Sequence, residues 1–140
     1  YMASEDDLRR AVQTAAVHLR PEGVLLVVAK MAETFQNNNF AYTGENEDVH
    51  VTLLENNYIN PFRPNTYEAA LVNLIRNRGE LSVYTECQVL GLFPQAVWEA
   101  VFKEVGFEMD TTTLDGVYDN YLLGEGAYPM TVFMGKKVRQ

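Results

Sequence analysis

The sequence predicts an α/β domain with an inserted antiparallel sheet. Three observations lead there. The stretch LRPEGVLLVVAK, residues 19–30, reads as a helix end, a Pro-Glu-Gly turn and a strand apolar on both faces. Strands of that kind sit inside sheets covered by helices. Residues 49–91 divide into segments of strand character joined by short turns, the pattern of a meander. FPQAVWEAVFKEVGF, residues 93–107, then returns to helical periodicity.

Taken in order, Ser4 with Asp7 forms a capping-box-like start, and Glu5, Asp6 and Asp7 suit the positive end of a helix dipole. Leu8, Ala11, Val12, Ala15, Ala16 and Leu19 recur at helical spacing and give one apolar face. Arg20 and Pro21 stop the helix, and Gly23 supplies a permissive turn position. Val24 to Val28 is β-branched and Leu-rich without alternation, as a strand covered on both sides would be. From Glu33 to Asp48 the pattern dissolves into FQNNNFAYTGENED, which predicts a long loop. Loops of that length act as lids or binding loops, or are plain surface excursions.

Strands are expected at 49–59, 66–76 and 81–91. PFRPN separates the first two and NRGE the second two. TYEAALVNLIRN in the middle has helical propensity as well, but its place between two hairpin-like connections points to a strand. In the third segment Leu81, Val83, Thr85, Cys87 and Val89 point one way, and Ser82, Tyr84, Glu86, Gln88 and Leu90 the other. A helix comes next, with Pro94 in its first turn, Val97, Trp98, Val101, Phe102 and Val105 as its buried stripe, and Gly106 as its stop. Residues 107–114 read as a strand, 115–129 as a Gly- and Tyr-rich connection, and 130–138 as a last strand.

Composition narrows the function classes. A chain of 140 residues, 47% apolar, suits one domain that buries about two-thirds of its unfolded surface. A net charge of −8 argues against nucleic acid, which requires clustered Lys and Arg. Lys136, Lys137 and Arg139 are the one tight basic group and read as a solvated tail. Cys87 is the only cysteine, so an internal disulfide is excluded, and with His18 and His50 as the only histidines no zinc site is expected. Glu45, Glu47 and Asp48 lack the alternating ligands and glycine of a calcium loop and read as a solvated turn. No apolar run is long enough to span a membrane and the acidic start has no signal-peptide pattern, so a cytoplasmic protein is the default expectation.

Several segments together carry a family likeness. DDLRRAVQTAAVHLRPEGVLLVV resembles the helix and fifth strand of class I S-adenosylmethionine-dependent methyltransferases, where the turn typically reads Leu-Arg-Pro-Gly-Gly and Glu22 here replaces the first glycine. GLFPQAVWEAVFKEVGFE resembles the next helix, and TVFMGKK the antiparallel seventh strand. The meander resembles an insertion in the branch that includes amino-sugar N-methyltransferases, where it covers the substrate side and contributes to subunit contacts. The resemblance implies a partial Rossmann-like sheet, strands five to seven, with the antiparallel insert at 49–91 inside a single domain, 1–140. It covers the C-terminal half of such enzymes alone. The glycine-rich turn and the acidic residue that hold the cofactor lie upstream of Tyr1 in them. Tyr1 before Met2 admits either a start at Met2 or a piece of a longer chain, and the smooth likeness through Tyr1 favours the piece.

The function implied by this resemblance is that of the substrate-side portion of a methyltransferase acting on a small-molecule nitrogen or oxygen nucleophile, inactive alone. S-adenosylmethionine is expected in the complete enzyme, with no tight binding by this chain alone. Removing the fourth strand would expose the edge of VLLVVA, so a homodimer or a retained N-terminal half is the expected partner. YMASEDDL resembles the segment after the fourth strand, which makes Tyr1 and Met2 cofactor-side candidates and Tyr1 a weak catalytic one. Phe35, Phe40 and Tyr42 are expected on a lid, and Tyr84 and Gln88 on a substrate-facing sheet with Glu86 as a candidate base. Against these stand an end residue without a role, a mobile surface loop and a solvated polar row. His18 and His50 carry little functional weight, and Trp98 and Phe102 belong to the core. The rival class is a non-catalytic α/β module that binds an apolar ligand or mediates dimerisation.

Overall fold

The computed structural model describes residues 2–138. Two antiparallel sheets divide the chain. One has three strands: β1 (Val24–Ala29), β6 (Phe107–Leu114) and β7 (Met130–Lys137), in the order β1-β7-β6. The other is a four-stranded meander in sequence order, β2 (Asn38–Glu45), β3 (Val49–Tyr58), β4 (Thr66–Asn77) and β5 (Glu80–Gly91). Helices α1 (Glu5–His18) and α2 (Gln95–Val105) pack together on the smaller sheet.

The helix signals in the sequence operate as expected. Ser4 Oγ accepts from the Asp7 N–H at 3.2 Å, and the Asp7 carboxylate in turn accepts from the Ser4 hydroxyl at 2.9 Å. Those bonds, with Arg10 beside it, hold the Asp7 carboxyl below the usual carboxylate range. At the other end Lys137 reaches across from β7 and donates to the carbonyls of Ala16 and Leu19 at 2.7 and 2.8 Å, placing a cation at the C-terminal end of α1. Pro94 is the N-cap of α2 rather than a residue of its first turn. The Glu33 carboxylate accepts from the Gln95 N–H in the place of a capping side chain. Gly106, at φ 95°, ends α2 in the left-handed region.

The core is one cluster. Leu8, Val12 and Ala16 from α1 meet Trp98, Val101 and Phe102 from α2 over Phe133 of β7, with Leu25, Val27 and Ala29 of β1 against it. Trp98 stacks on Phe133 with centroids 4.6 Å apart. Gly135 is required there, because a Cβ would stand 2.6 Å from the Phe102 ring.

Other expectations need correction too. β1 is covered on one face alone. Val24, Leu26 and Val28 point away from the helices, Leu26 at 62% exposure, and the strand edge opposite β7 has no strand partner among the described residues. At the turn before it, Glu22 takes the left-handed conformation at φ 65°, while Gly23 is needed for closeness, since a Cβ would lie 2.8 Å from the Arg20 carbonyl. The predicted loop at 33–48 contains β2, so the larger sheet begins at Asn38 rather than at residue 49. Its asparagines, which suggest turns, pair across the ladder instead. Asn57 donates to Asn38 at 3.1 Å and Asn56 to Asn39 at 2.8 Å. The alternate positions Asn38, Phe40 and Tyr42 face inward.

Gly135→Ala should destabilise the chain by about 1–3 kcal/mol through overpacking against Phe102, with the urea midpoint lowered. Lys137→Met should lower it as well, by about 1–3 kcal/mol for two charge-assisted bonds. A midpoint unchanged in either variant would contradict the account of the core or of the cap.

Candidate functional site

The two sheets meet where β1 ends. Lys30 follows the last residue of β1, and its side chain is 12% exposed. Register decides what it faces. Opposite residues in neighbouring strands share a face, so Phe40 and Tyr42 of β2 lie with Leu53, Glu55 and Asn57 of β3. The same rule extends this inner face through Tyr67, Ala69 and Leu71 of β4 to Leu90, Gln88, Glu86 and Tyr84 of β5.

Lys30 Nζ stands 3.9 Å from a Glu55 carboxylate oxygen, and 4.8, 5.8 and 5.7 Å from the ring centroids of Tyr67, Phe35 and Tyr128. This is an aromatic cage with one carboxylate in it. Glu55 is held from behind. Asn57, fully buried, donates to it at 2.7 Å, and Tyr42 is hydrogen-bonded to it as well. Phe40 closes the far side, 5.1 Å from the Tyr128 ring, and Tyr121 packs 4.9 Å from Tyr42. The connection before β7 is fastened over β2 by the Leu123 N–H to the Asn39 carbonyl at 2.8 Å.

Burial sets the protonation states. It pulls the Lys30 ammonium down from its ordinary 10.5 to about 8, with Glu55 opposing the change. It pushes the Tyr67 and Tyr128 phenols up to about 12, and the Tyr42 phenol is pushed up too, by burial first and by the Glu55 charge next. The three phenols therefore stay protonated at neutral pH, while Lys30 lies close to its titration point.

In front of the cage is a cleft of about 250 Å³, bounded by Met2, Lys30, Tyr67, Leu90, Trp98 and Met130 among others. Met2 is fixed there by its carbonyl, which accepts from the Gly91 N–H at 2.7 Å. The Trp98 indole N–H is buried without a hydrogen-bond partner. Among the described residues no group of three His, Cys, Asp or Glu is arranged to hold a metal ion, and no helix is long and apolar enough to cross a membrane.

The structure sorts the residues expected from sequence. Tyr1 lies outside the described residues. Met2 borders the cleft. Phe35 belongs to the cage, in the segment between β1 and β2. Phe40 and Tyr42 sit on β2 and not on a lid: Phe40 is buried within the inner face, and Tyr42 reaches Glu55. Tyr84, Glu86 and Gln88 share the inner face but occupy its exposed outer strand, where Gln88 donates to Glu86 and Tyr84 is 59% exposed. Sequence reasoning missed Lys30, Glu55, Asn57, Tyr67 and Tyr128. One signal was present: a charged residue closing an apolar strand, Lys30, and another inside VTLLENNY, Glu55.

Comparison with solved structures places the fold. The chain superposes on DesVI of Streptomyces venezuelae with a TM-score of 0.75 at 21% identity, covering 99% of this chain and 54% of that one. The sugar N-methyltransferase KedS8 from Streptoalloteichus gives 0.72 at 20% identity, over 99% and 52%. CalS10, a SAM-bound amino pentose methyltransferase from Micromonospora echinaspora, gives 0.67 at 15%, over 98% and 53%. The fold is that of the C-terminal half of a methyltransferase. The chain thus spans about half the length of the structures it matches. No family model matches the sequence, and no curated protein matches it. In the methyltransferase frame β1, β6 and β7 stand as strands five, six and seven, with β7 antiparallel to both neighbours, as the resemblance implies.

A Lys30→Met variant should change the pH dependence of stability. The folded pKa is depressed, so below about pH 8 both states hold the proton and the full burial cost is present. Between about 8 and 10.5 only the unfolded chain holds it, and stability rises with pH by up to about 3 kcal/mol. The phenols oppose this above pH 10, where their raised pKa values remove stability. Denaturant titrations from pH 7 to 10 should show the rise in the parent and lose it in Lys30→Met. Parallel curves would contradict the assignment.

Proposed function

We propose that this chain is the substrate-side portion of an S-adenosylmethionine-dependent methyltransferase acting on a small-molecule nitrogen or oxygen nucleophile. One observation carries the reading. The polar cage sits at the carboxyl end of β1, where open α/β sheets bind their ligands, and the inner face of the antiparallel sheet closes over it. Binding between a rigid strand end and a covering sheet suits a reaction that asks mainly for two reactants held in line.

The described residues do not fit the cofactor by themselves. The cleft of about 250 Å³ is smaller than the usual ligand site of about 300–1,000 Å³, and no acidic residue borders it to accept ribose hydroxyls. The reading therefore assigns the cofactor's cradle to residues beyond this chain. Met2 belongs to the cofactor-side wall. Phe35, Phe40 and Tyr42 are substrate-side, with Tyr84, Glu86 and Gln88 at its open margin.

The apolar outer faces support a partner. Val24, Leu26 and Val28 on one sheet, and Leu54, Leu81 and Val83 on the other, are exposed. A missing N-terminal half suits the first and a second copy the second. The latter surface also favours the rival reading, a dimerisation module without catalysis. A cytoplasmic location belongs to the methyltransferase reading.

Calorimetric titration of the 140-residue chain with S-adenosylmethionine should give no saturable binding; tight binding would refute the division of labour. Light scattering should find an assembly larger than one chain, and a clean monomer would count against the partner surfaces. An acidic-x-Gly-x-Gly-x-Gly turn encoded about 60–100 residues upstream would favour the enzyme over the module.

A further inference from the structure

Lys30 and Tyr67 border the cleft and belong to the cage as well, and Lys30 is the one basic residue among the cleft's lining. On the cleft side Lys30 stands among apolar groups, and on the cage side it faces Glu55 and three rings. We propose that Lys30 takes up the proton a substrate ammonium must lose before its nitrogen can attack, with Glu55 and the rings holding the lysine ammonium so formed. The proposal rests on the methyl-transfer reading and names a residue that the reading leaves unused.

The geometry supports the role in three ways. Among the described residues Nζ has an ion pair and three ring faces but no hydrogen-bond acceptor, so no fixed bond has to break as it gains or gives up a proton. Glu55 at 3.9 Å is too far to take the proton directly but near enough to stabilise the charge that forms. Its own oxygens are engaged by Asn57 and Tyr42, which fixes it as a counter-charge. The groups facing Nζ are Glu55 on β3, Tyr67 on β4 and Tyr128 ahead of β7, with Phe35 uncharged and Tyr42 on β2 behind Glu55.

The other bases are poorer. Glu86 is exposed on the outer strand, and the phenols of Tyr42, Tyr67 and Tyr128 hold their protons more firmly than usual. The step balances simply. An N–H bond of the substrate ammonium breaks, its electron pair stays on the substrate nitrogen, and a new N–H bond forms at Nζ. A lysine drawn down by burial is neutral often enough near neutral pH to do this.

Two measurements test the role. Trace acetylation of the wild-type chain with acetic anhydride, read at each lysine by mass spectrometry, should give Lys30 a reactivity midpoint near pH 8. Glu55→Gln should move that midpoint lower, because the counter-charge is gone. A midpoint at about 10, or none of this movement, overturns the proposal. In a protein that also carries the cofactor-binding half, Lys30→Met should lower kcat on an amine acceptor about 100-fold at pH 7. The deficit should shrink as pH rises past the acceptor's own pKa, where no base is needed. A deficit equal at every pH, or none, overturns the role of Lys30 and leaves the methyl-transfer reading intact. A wild-type protein that binds the cofactor but methylates no amine defeats the proton role, and one that methylates nothing defeats both.

Discussion

A lysine and a glutamate from different sheets hold this molecule in register. Lys30 ends β1 and Glu55 lies mid-strand in β3, and both are largely withdrawn from water. At their separation the attraction is about 4 kcal/mol at an intermediate dielectric, and desolvation of the two groups offsets much of it. The pair is therefore weak as a source of stability and strong as a constraint. Removing either charge leaves the other buried alone, at about 3–5 kcal/mol. A β3 that slips by one residue along its neighbours turns Glu55 to the outer face, strands Lys30 and breaks the bond from Asn57 to Asn38.

That constraint explains the layering around it. Rings gather at Lys30 because a cation partly stripped of water is stabilised by π faces, and phenols tolerate the spot because they need no charge. The asparagines serve the same end. Asn38 and Asn57 bring amides into a place where apolar residues would leave the Glu55 oxygens unsatisfied. Away from the cage the chain returns to ordinary packing, with Trp98 stacked on Phe133 of β7 and Phe102 tilted against it.

Periodicity made the two helices legible, because each buries one face against the core; β1 was marked by an unbroken apolar run, and β4 by its place between two turns. β2 was not legible. Its inward residues alternate correctly, but Asn37, Asn38 and Asn39 mark turns in isolation, and their ladder partners Asn56 and Asn57 lie a hairpin away. The bare face of Leu26 was hidden for a related reason: an apolar residue in a strand predicts a cover without saying which chain supplies it. The site was half legible. The alternation of β5 identifies the inner face through Tyr84, Glu86 and Gln88, whereas the cage needs the meeting of residues 30, 35, 55, 67 and 128, and no local pattern encodes that.

The place of β7 has a consequence for how the chain is made. It is the middle strand of its sheet, yet among the described strands it is made last. Until residues 130–137 emerge, β1 and β6 have no common neighbour, and the backbone edge of β1 that β7 will pair stays open for about a hundred residues of synthesis, which is several seconds or more. The meander, whose strands pair in the order they appear, forms without such delay. The nascent chain thus carries a finished meander while the three-stranded sheet still lacks its middle strand.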